Sequence, residues 1–286
     1  MPDTFIDTSH GRLAFSDTGG AGVPVVMIHA NSVCKESFAP QIAMLSSSHR
    51  VIAFDLPGHG ASSDAIDARR TYSMSGYADA LLEALDVIGI ERFTAIGHSL
   101  GGHVVLEMIS AGATIDGALI FGTPPVENNP QGLQAGFKPS PEMAYTGNAE
   151  LLDEQVPMIV ELALGSEVRN NDFFIRAVRR THGLARQYMI EAAADGKGSD
   201  QKRVVETSAI PLAVLNGQED PVINLDYIDT VDFANIWEGE PIRIRDAGHA
   251  LHRERPDEFN DALLRFLDFV TASNTLPIEG MPAAEA

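Results

Sequence analysis

The chain has 286 residues, enough for one α/β unit carrying an insertion, and its 44% hydrophobic content lets it bury a large core without disulfides or a structural metal. A formal net charge of −20 repels phosphate backbones and anionic membrane surfaces, so nucleic acid and membranes are not expected partners; otherwise the charge serves solubility. The single cysteine, Cys34, excludes an internal disulfide and a cysteine-based zinc cluster.

The N-terminal segment has no basic stretch followed by an apolar one, as a secretory signal would, so a cytoplasmic location is expected. No apolar run approaches the ~20 residues that span a bilayer. Phe5 to Asp17 alternates around Ser9-His10-Gly11 and predicts an antiparallel hairpin at a sheet edge. Pro24 to His29 is a short apolar strand, followed by a polar loop and a weak helix near Phe38 to Leu45. Val51 to Phe54 is the next strand and runs into Asp55-Leu56-Pro57-Gly58-His59-Gly60. Tyr77 to Ile88 has helical spacing, Phe93 to Gly97 reads as a strand, Leu100 to Ala111 as a helix and Ala118 to Phe121 as a strand. Strands alternating with helices imply βαβ units and a parallel sheet.

From about Val126 to Thr207 strong strand patterns cease, and helical patterns occupy Leu151 to Leu164 and Asp172 to Ala193. Residues 127–207 are therefore expected to form a helical cap inserted into a core of residues 1–126 and 208–273. Strands resume at Pro211 to Asn216 and Pro241 to Arg245, and Asp257 to Val270 is a closing amphipathic helix. Residues 274–286 are rich in Pro and Ala and are expected to be a disordered tail.

Gly97-His98-Ser99-Leu100-Gly101 matches G-x-S-x-G, a weak pattern on spacing alone. Its setting, an apolar strand before and a helix after, is that of a nucleophile elbow, where a sharp turn lifts the serine hydroxyl above the sheet. The helix N-terminus behind it directs N–H groups and positive potential at the site. The bland alternative is a serine that caps the helix. A serine nucleophile needs a base. Of nine histidines, His249 follows the last predicted strand through Asp246-Ala247-Gly248, on the edge of an open α/β sheet where sites form. His252, three residues on, is its rival, and His98 and His103 are read as packing residues beside the elbow.

The acid should follow a strand between serine and histidine. Gly217-Gln218-Glu219-Asp220-Pro221 offers two candidates, Asp220 preferred and Glu219 the alternative, with a solvated acidic turn as the bland reading. An oxyanion hole needs two donors, expected from the N–H groups of Leu100 and of Asn31, the latter in the loop His29-Ala30-Asn31-Ser32.

Taken in order, the HANS segment, DLPGHG, GHSLGG, GQEDP and DAGH resemble the α/β-hydrolase superfamily over nearly the whole chain outside the tail. A narrower resemblance is to the metal-independent N-acyl-homoserine-lactone lactonases built on this fold. It rests on Ser9-His10-Gly11-Arg12, Asp64-Ala65-Ile66-Asp67, Tyr72-Ser73-Met74, Gly76-Tyr77-Ala78-Asp79-Ala80, Gly122-Thr123-Pro124-Pro125-Val126, Gly136-Phe137-Lys138, Trp237-Glu238-Gly239 and Ala247-Gly248-His249-Ala250. The resemblance implies that Asp220 is the acid, in place of a glutamate. It also implies that Ile159 stands where the family has a substrate-binding tyrosine; Ser32 is the other candidate substrate contact.

The expected chemistry is cofactor-free opening of a lactone or ester that carries an apolar acyl chain, through an acyl-enzyme on Ser99. The other lactonase chemistry uses a His-rich dinuclear metal site, and this chain has no HxHxDH run. Two rival readings remain: a carboxylesterase or C–C bond hydrolase with the same three residues, and a non-catalytic ligand receptor on the same fold.

Overall fold

A computed structural model describes residues 2–275 of the chain. Strands β1 (Thr4–Thr8) and β2 (Gly11–Asp17) form the expected hairpin, with Thr8 paired to Gly11 across a two-residue turn. β3 (Val25–Ile28), α1 (Ala39–Leu45), β4 (Val51–Phe54), α2 (Ala68–Thr71), α3 (Met74–Val87), β5 (Phe93–His98), α4 (Leu100–Ser110) and β6 (Ile115–Phe121) follow in α/β alternation. Ser73 sets the start of α3, because its hydroxyl accepts the Gly76 N–H.

Six helices occupy the interval before the next strand: α5 (Pro130–Gly136), α6 (Pro141–Tyr145), α7 (Gln155–Leu164), α8 (Asp172–Arg180), α9 (Gly183–Ala194) and α10 (Gln201–Thr207). The helical stretch expected over Asp172 to Ala193 is broken at Thr181-His182, where ψ is near 124° at both residues. The His182 N–H leaves the helix to reach Gly58 O at 2.8 Å, a tertiary contact that spacing does not reveal. β7 (Leu212–Gly217), α11 (Leu225–Ile228), β8 (Ile242–Ile244), α12 (Leu251–Glu254) and α13 (Pro256–Thr275) complete the chain. The closing helix thus runs past Val270 and includes the first residues of the expected tail, whose remainder lies outside the described residues.

The strands form one sheet in the order β1-β2-β4-β3-β5-β6-β7-β8. β1, β2 and β4 pair antiparallel, and all pairs from β4 through β8 are parallel. Both faces are covered, as a parallel sheet requires. One face packs Leu81, Leu85, Val104 and Met108 of α3 and α4 against Val26, Ile28 and Ile120. The other packs Phe259, Leu263 and Phe266 of α13, with Phe38, against Met27, Ile96 and Leu119. A third apolar cluster joins the inserted helices to the loop after β3, through Val33 and Cys34 against Ile159, Val160 and Phe174. No helix among the described residues is long and apolar enough to cross a membrane.

The central helix α4 lies unusually close to the sheet. A Cβ on Gly101 would collide with the Ile28 carbonyl of β3, and one on Gly102 with the Thr123 side chain after β6. Gly101→Ala is therefore expected to cost about 1–3 kcal/mol, since the obstacle is backbone rather than a movable side chain. The reading is a lower urea midpoint with an unchanged slope; an unaltered midpoint would show that α4 is free to lift off β3.

Candidate active site

Ser99 occupies the turn between β5 and α4 with φ 51° and ψ −115°, a left-handed conformation that costs a non-glycine residue about 1–3 kcal/mol. The surroundings impose it. The Ser99 N–H donates to Phe121 O at 2.9 Å, and Thr123 Oγ1 donates to Ser99 O and Phe121 O, each at 3.0 Å, clamping the turn to the end of β6. Gly97 and Gly101 meet backbone to backbone, since a Cβ on Gly97 would strike Gly101 itself. The Ser99 side chain makes no capping bond to α4, so the alternative of a helix cap fails.

His249 lies in the loop after β8, and its Nδ1 sits 2.8 Å from Asp220 Oδ2. The other Asp220 oxygen accepts the N–H groups of Val222 at 2.8 Å and Ile223 at 3.1 Å. Burial raises the carboxyl pKa of Asp220, but His249 and those two N–H groups outweigh it and hold the group below the ordinary aspartate range. An ionised carboxylate only accepts, so Nδ1 of His249 carries the proton and Nε2 is left as the basic nitrogen. Gly122, at φ 59°, leaves room for the imidazole, because a Cβ there would press on the ring at 2.9 Å.

Glu219 is exposed and makes no contact with His249, whereas Asp220 is buried; of the two acids the geometry brings only Asp220 to the imidazole. His252 is fully buried against Phe38, Phe121 and Phe259, away from the cavity, and burial holds it neutral. His98, also buried, sits behind His249 with its Nε2–H directed at His249 O, 3.0 Å away.

The loop after β3 brings Asn31 to the same place. Among the described residues the N–H groups of Asn31 and Leu100 have no hydrogen-bond partner. The Asn31 side chain is fixed instead: Nδ2 donates to Thr146 O at 2.9 Å, and Oδ1 lies 3.2 Å from Ser32 Oγ. Ser32 departs from the expectation of a substrate contact. It is fully buried at φ 65°, its hydroxyl is turned to Asn31, and it does not line the cavity.

Ser99, Leu100, His249 and Asn31 open together onto a cavity of about 250 Å³ whose other walls are mainly apolar side chains of the inserted helices, Leu133, Ile159, Leu162 and Met189 among them. Ile159 is buried and lies on the cavity wall. His103 was read as packing alone, yet it lines the cavity one helical turn beyond Ser99. The spacing of four along a helix was the available signal. Among the described residues, Cys34, Glu36 and Asp55 bring three ligand-type atoms together, but Lys35 Nζ sits 2.9 Å from both carboxylates.

The lowered pKa of Asp220 makes a pH prediction. A depressed acid stabilises the fold above its unfolded pKa of about 3.9, and the contribution is lost as pH falls through the lower folded value. Wild type should therefore exceed Asp220→Asn by about 1–3 kcal/mol near neutrality, with the gap closing in strong acid. Urea midpoints taken across that range decide it, and a gap independent of pH would contradict an ionised Asp220.

Residues 25–262 match the model of the alpha/beta hydrolase family. A serine-to-glycine variant of N-acyl homoserine lactonase AidH, solved with N-hexanoyl homoserine lactone, aligns at a TM-score of 0.91 and 40% identity, covering 95% of this chain and 99% of that one. The putative carbamate hydrolase RutD of Rhizobium rhizogenes is 25% identical over 80% of this chain and 87% of its own length. A meta-cleavage product hydrolase of Pseudomonas fluorescens has the same fold at a TM-score of 0.75 and 17% identity, over 93% of this chain and 97% of that one. The chain belongs to the alpha/beta hydrolase family and is a hydrolase.

Proposed function

We propose that the chain is a serine hydrolase of ester bonds that opens the ring of N-acyl homoserine lactones, and so quenches the signals built on them. The observation that carries this reading is the convergence of Ser99, the His249–Asp220 pair and two unpartnered N–H groups on one apolar cavity. The 40% identity to a lactonase over nearly the whole chain supports the choice of substrate.

Ser99 Oγ attacks the lactone carbonyl while His249 Nε2 takes its proton. Asp220 keeps the imidazole in that tautomer and stabilises the imidazolium without accepting the proton. The developing oxyanion sits on the N–H groups of Asn31 and Leu100, at the N-terminus of α4. Collapse breaks the ring C–O bond, and His249 returns the proton to the leaving oxygen, which stays tethered to the acyl part. Water, deprotonated by His249, then attacks the acyl-enzyme and releases the acyl-homoserine and Ser99. The inserted helices act as a cap whose apolar wall takes the acyl chain and excludes bulk water. All the parts of this cycle are side chains and amides of the protein, so turnover should persist in EDTA.

The test is turnover of a panel of N-acyl homoserine lactones beside p-nitrophenyl esters. Ser99→Ala is expected to lose about 10³-fold or more of kcat on both. Ester cleavage without ring opening would keep the serine chemistry and reject the lactone substrate, leaving a carboxylesterase. Near-native turnover of Ser99→Ala would remove the nucleophile assignment, and no reaction with a fluorophosphonate would revive a receptor.

Ile159 supplies no hydroxyl where the related lactonases are expected to have tyrosine. Ile159→Tyr should raise kcat/KM for lactones relative to p-nitrophenyl esters, by about fivefold if one neutral hydrogen bond is gained. An unchanged ratio would place that contact elsewhere on the wall.

A further inference from the structure

His103 stands on α4 four residues after Ser99, on the same helical face, and its N–H donates to Ser99 O at 3.1 Å. Its ring lies on the cavity wall beside Phe137, at 5.9 Å between centroids. The side of the ring away from the cavity is held by Gln201, whose Oε1 lies 2.6 Å from His103 Nδ1. The orientation of Gln201 is itself fixed, because its Nε2 donates to Glu107 Oε1 at 2.9 Å and to His103 O at 3.4 Å. Glu107 is held in turn by Ser199, whose N–H and hydroxyl both donate to its carboxylate.

This chain of bonds settles the tautomer. The Gln201 oxygen can only accept, so His103 Nδ1 carries the proton and Nε2 presents a lone pair. Nε2 has no partner among the described residues and is not among the sealed polar atoms of the interior, so it faces the cavity. Burial, with the charge of nearby His249, lowers the His103 pKa to about 4 and keeps the ring neutral at physiological pH. A neutral acceptor at this depth in an apolar cavity calls for a donor on the ligand.

We propose that His103 is the amide-recognition residue of the site, its Nε2 accepting a hydrogen bond from a secondary amide N–H on the carbon next to the ester carbonyl. The proposal rests on the lactone reading for its natural substrate, since an N-acyl homoserine lactone carries such an N–H two bonds from the carbon that Ser99 attacks. It deepens that reading by giving the source of selectivity. The catalytic groups recognise an ester, the apolar wall recognises a chain, and His103 recognises the amide between them. A substrate without the N–H leaves the imidazole lone pair dry and unpaired, and a site built around a polar group discriminates strongly for that reason.

The experiment compares matched pairs that differ only at that nitrogen. One pair is N-hexanoyl homoserine lactone and the ketone analogue in which a methylene replaces the N–H. The other is the p-nitrophenyl ester of N-hexanoylglycine and its own methylene analogue. Wild type is expected to favour the amide member by on the order of tenfold in kcat/KM, and His103→Phe to abolish the preference. A wild-type preference below about threefold overturns the proposal without reference to any variant, as does a preference that survives in a folded His103→Phe. The two pairs separate the two readings. Failure to open either lactone with the glycine-ester preference intact removes the lactone substrate and leaves His103 as an amide acceptor. Ring opening with no preference in either pair does the reverse.

Discussion

The close approach of α4 to the centre of the sheet is the constraint on which the rest depends. Two parallel strands, β3 and β5, must lie under a helix whose N-cap is Ser99, and there is no room between them for a side chain at 97 or 101. That contact places Ser99 in a left-handed conformation, and the hydrogen bonds from Ser99 N–H and Thr123 Oγ1 hold it there. A strained serine is useful only if its surroundings over-determine it. Here the turn is fixed by contacts with β3, β5 and β6 together, so the Ser99 Cβ has one place above the sheet.

The charge pair depends on the same sheet. Asp220 and His249 are carried on loops after adjacent parallel strands, β7 and β8, and meet because parallel pairing brings the two C-terminal ends to one edge. The inserted helices are tied to this edge rather than resting over it. Phe137 bridges to Ile223, Lys138 Nζ donates to Asp220 O at 2.9 Å, and Thr146 O holds the Asn31 side chain. A displacement of the insertion would therefore disturb the loops of Asp220 and Asn31 together. The shape of the cavity and the placement of these two residues are coupled through these few bonds.

The cavity contains few polar groups, and three of them are held by hydrogen bonds. Asn31 is held by Thr146 and Ser32, His249 by Asp220, and His103 by Gln201. Histidines around the elbow show how packing sorts one residue type into different environments. His98 and His252 are sealed among aromatic rings and kept neutral by burial. His249, beside the Asp220 carboxylate, opens onto the cavity instead.

Much of this was legible in the residues themselves. Alternating apolar runs and helical spacing located the core strands nearly residue for residue, because local hydrophobic period follows from which faces are buried. That Ser99, Asp220 and His249 follow strand ends was readable because each lies in a short turn with a local signature next to a strand. Other features belong to the tertiary structure. The break at His182 depends on a bond to Gly58, 124 residues away along the chain, and the Asn31 side chain is held by Thr146 O, 115 residues away. His103 looked like packing because only folding brings Gln201 to one side of its ring and an open cavity to the other. The amino-acid pattern alone was enough for the elements, their order and the strand-end loops that hold Ser99, Asp220 and His249, since these follow from local period and turn chemistry. Which polar atoms face the cavity was decided by the tertiary structure alone, since that depends on partners far apart in the chain.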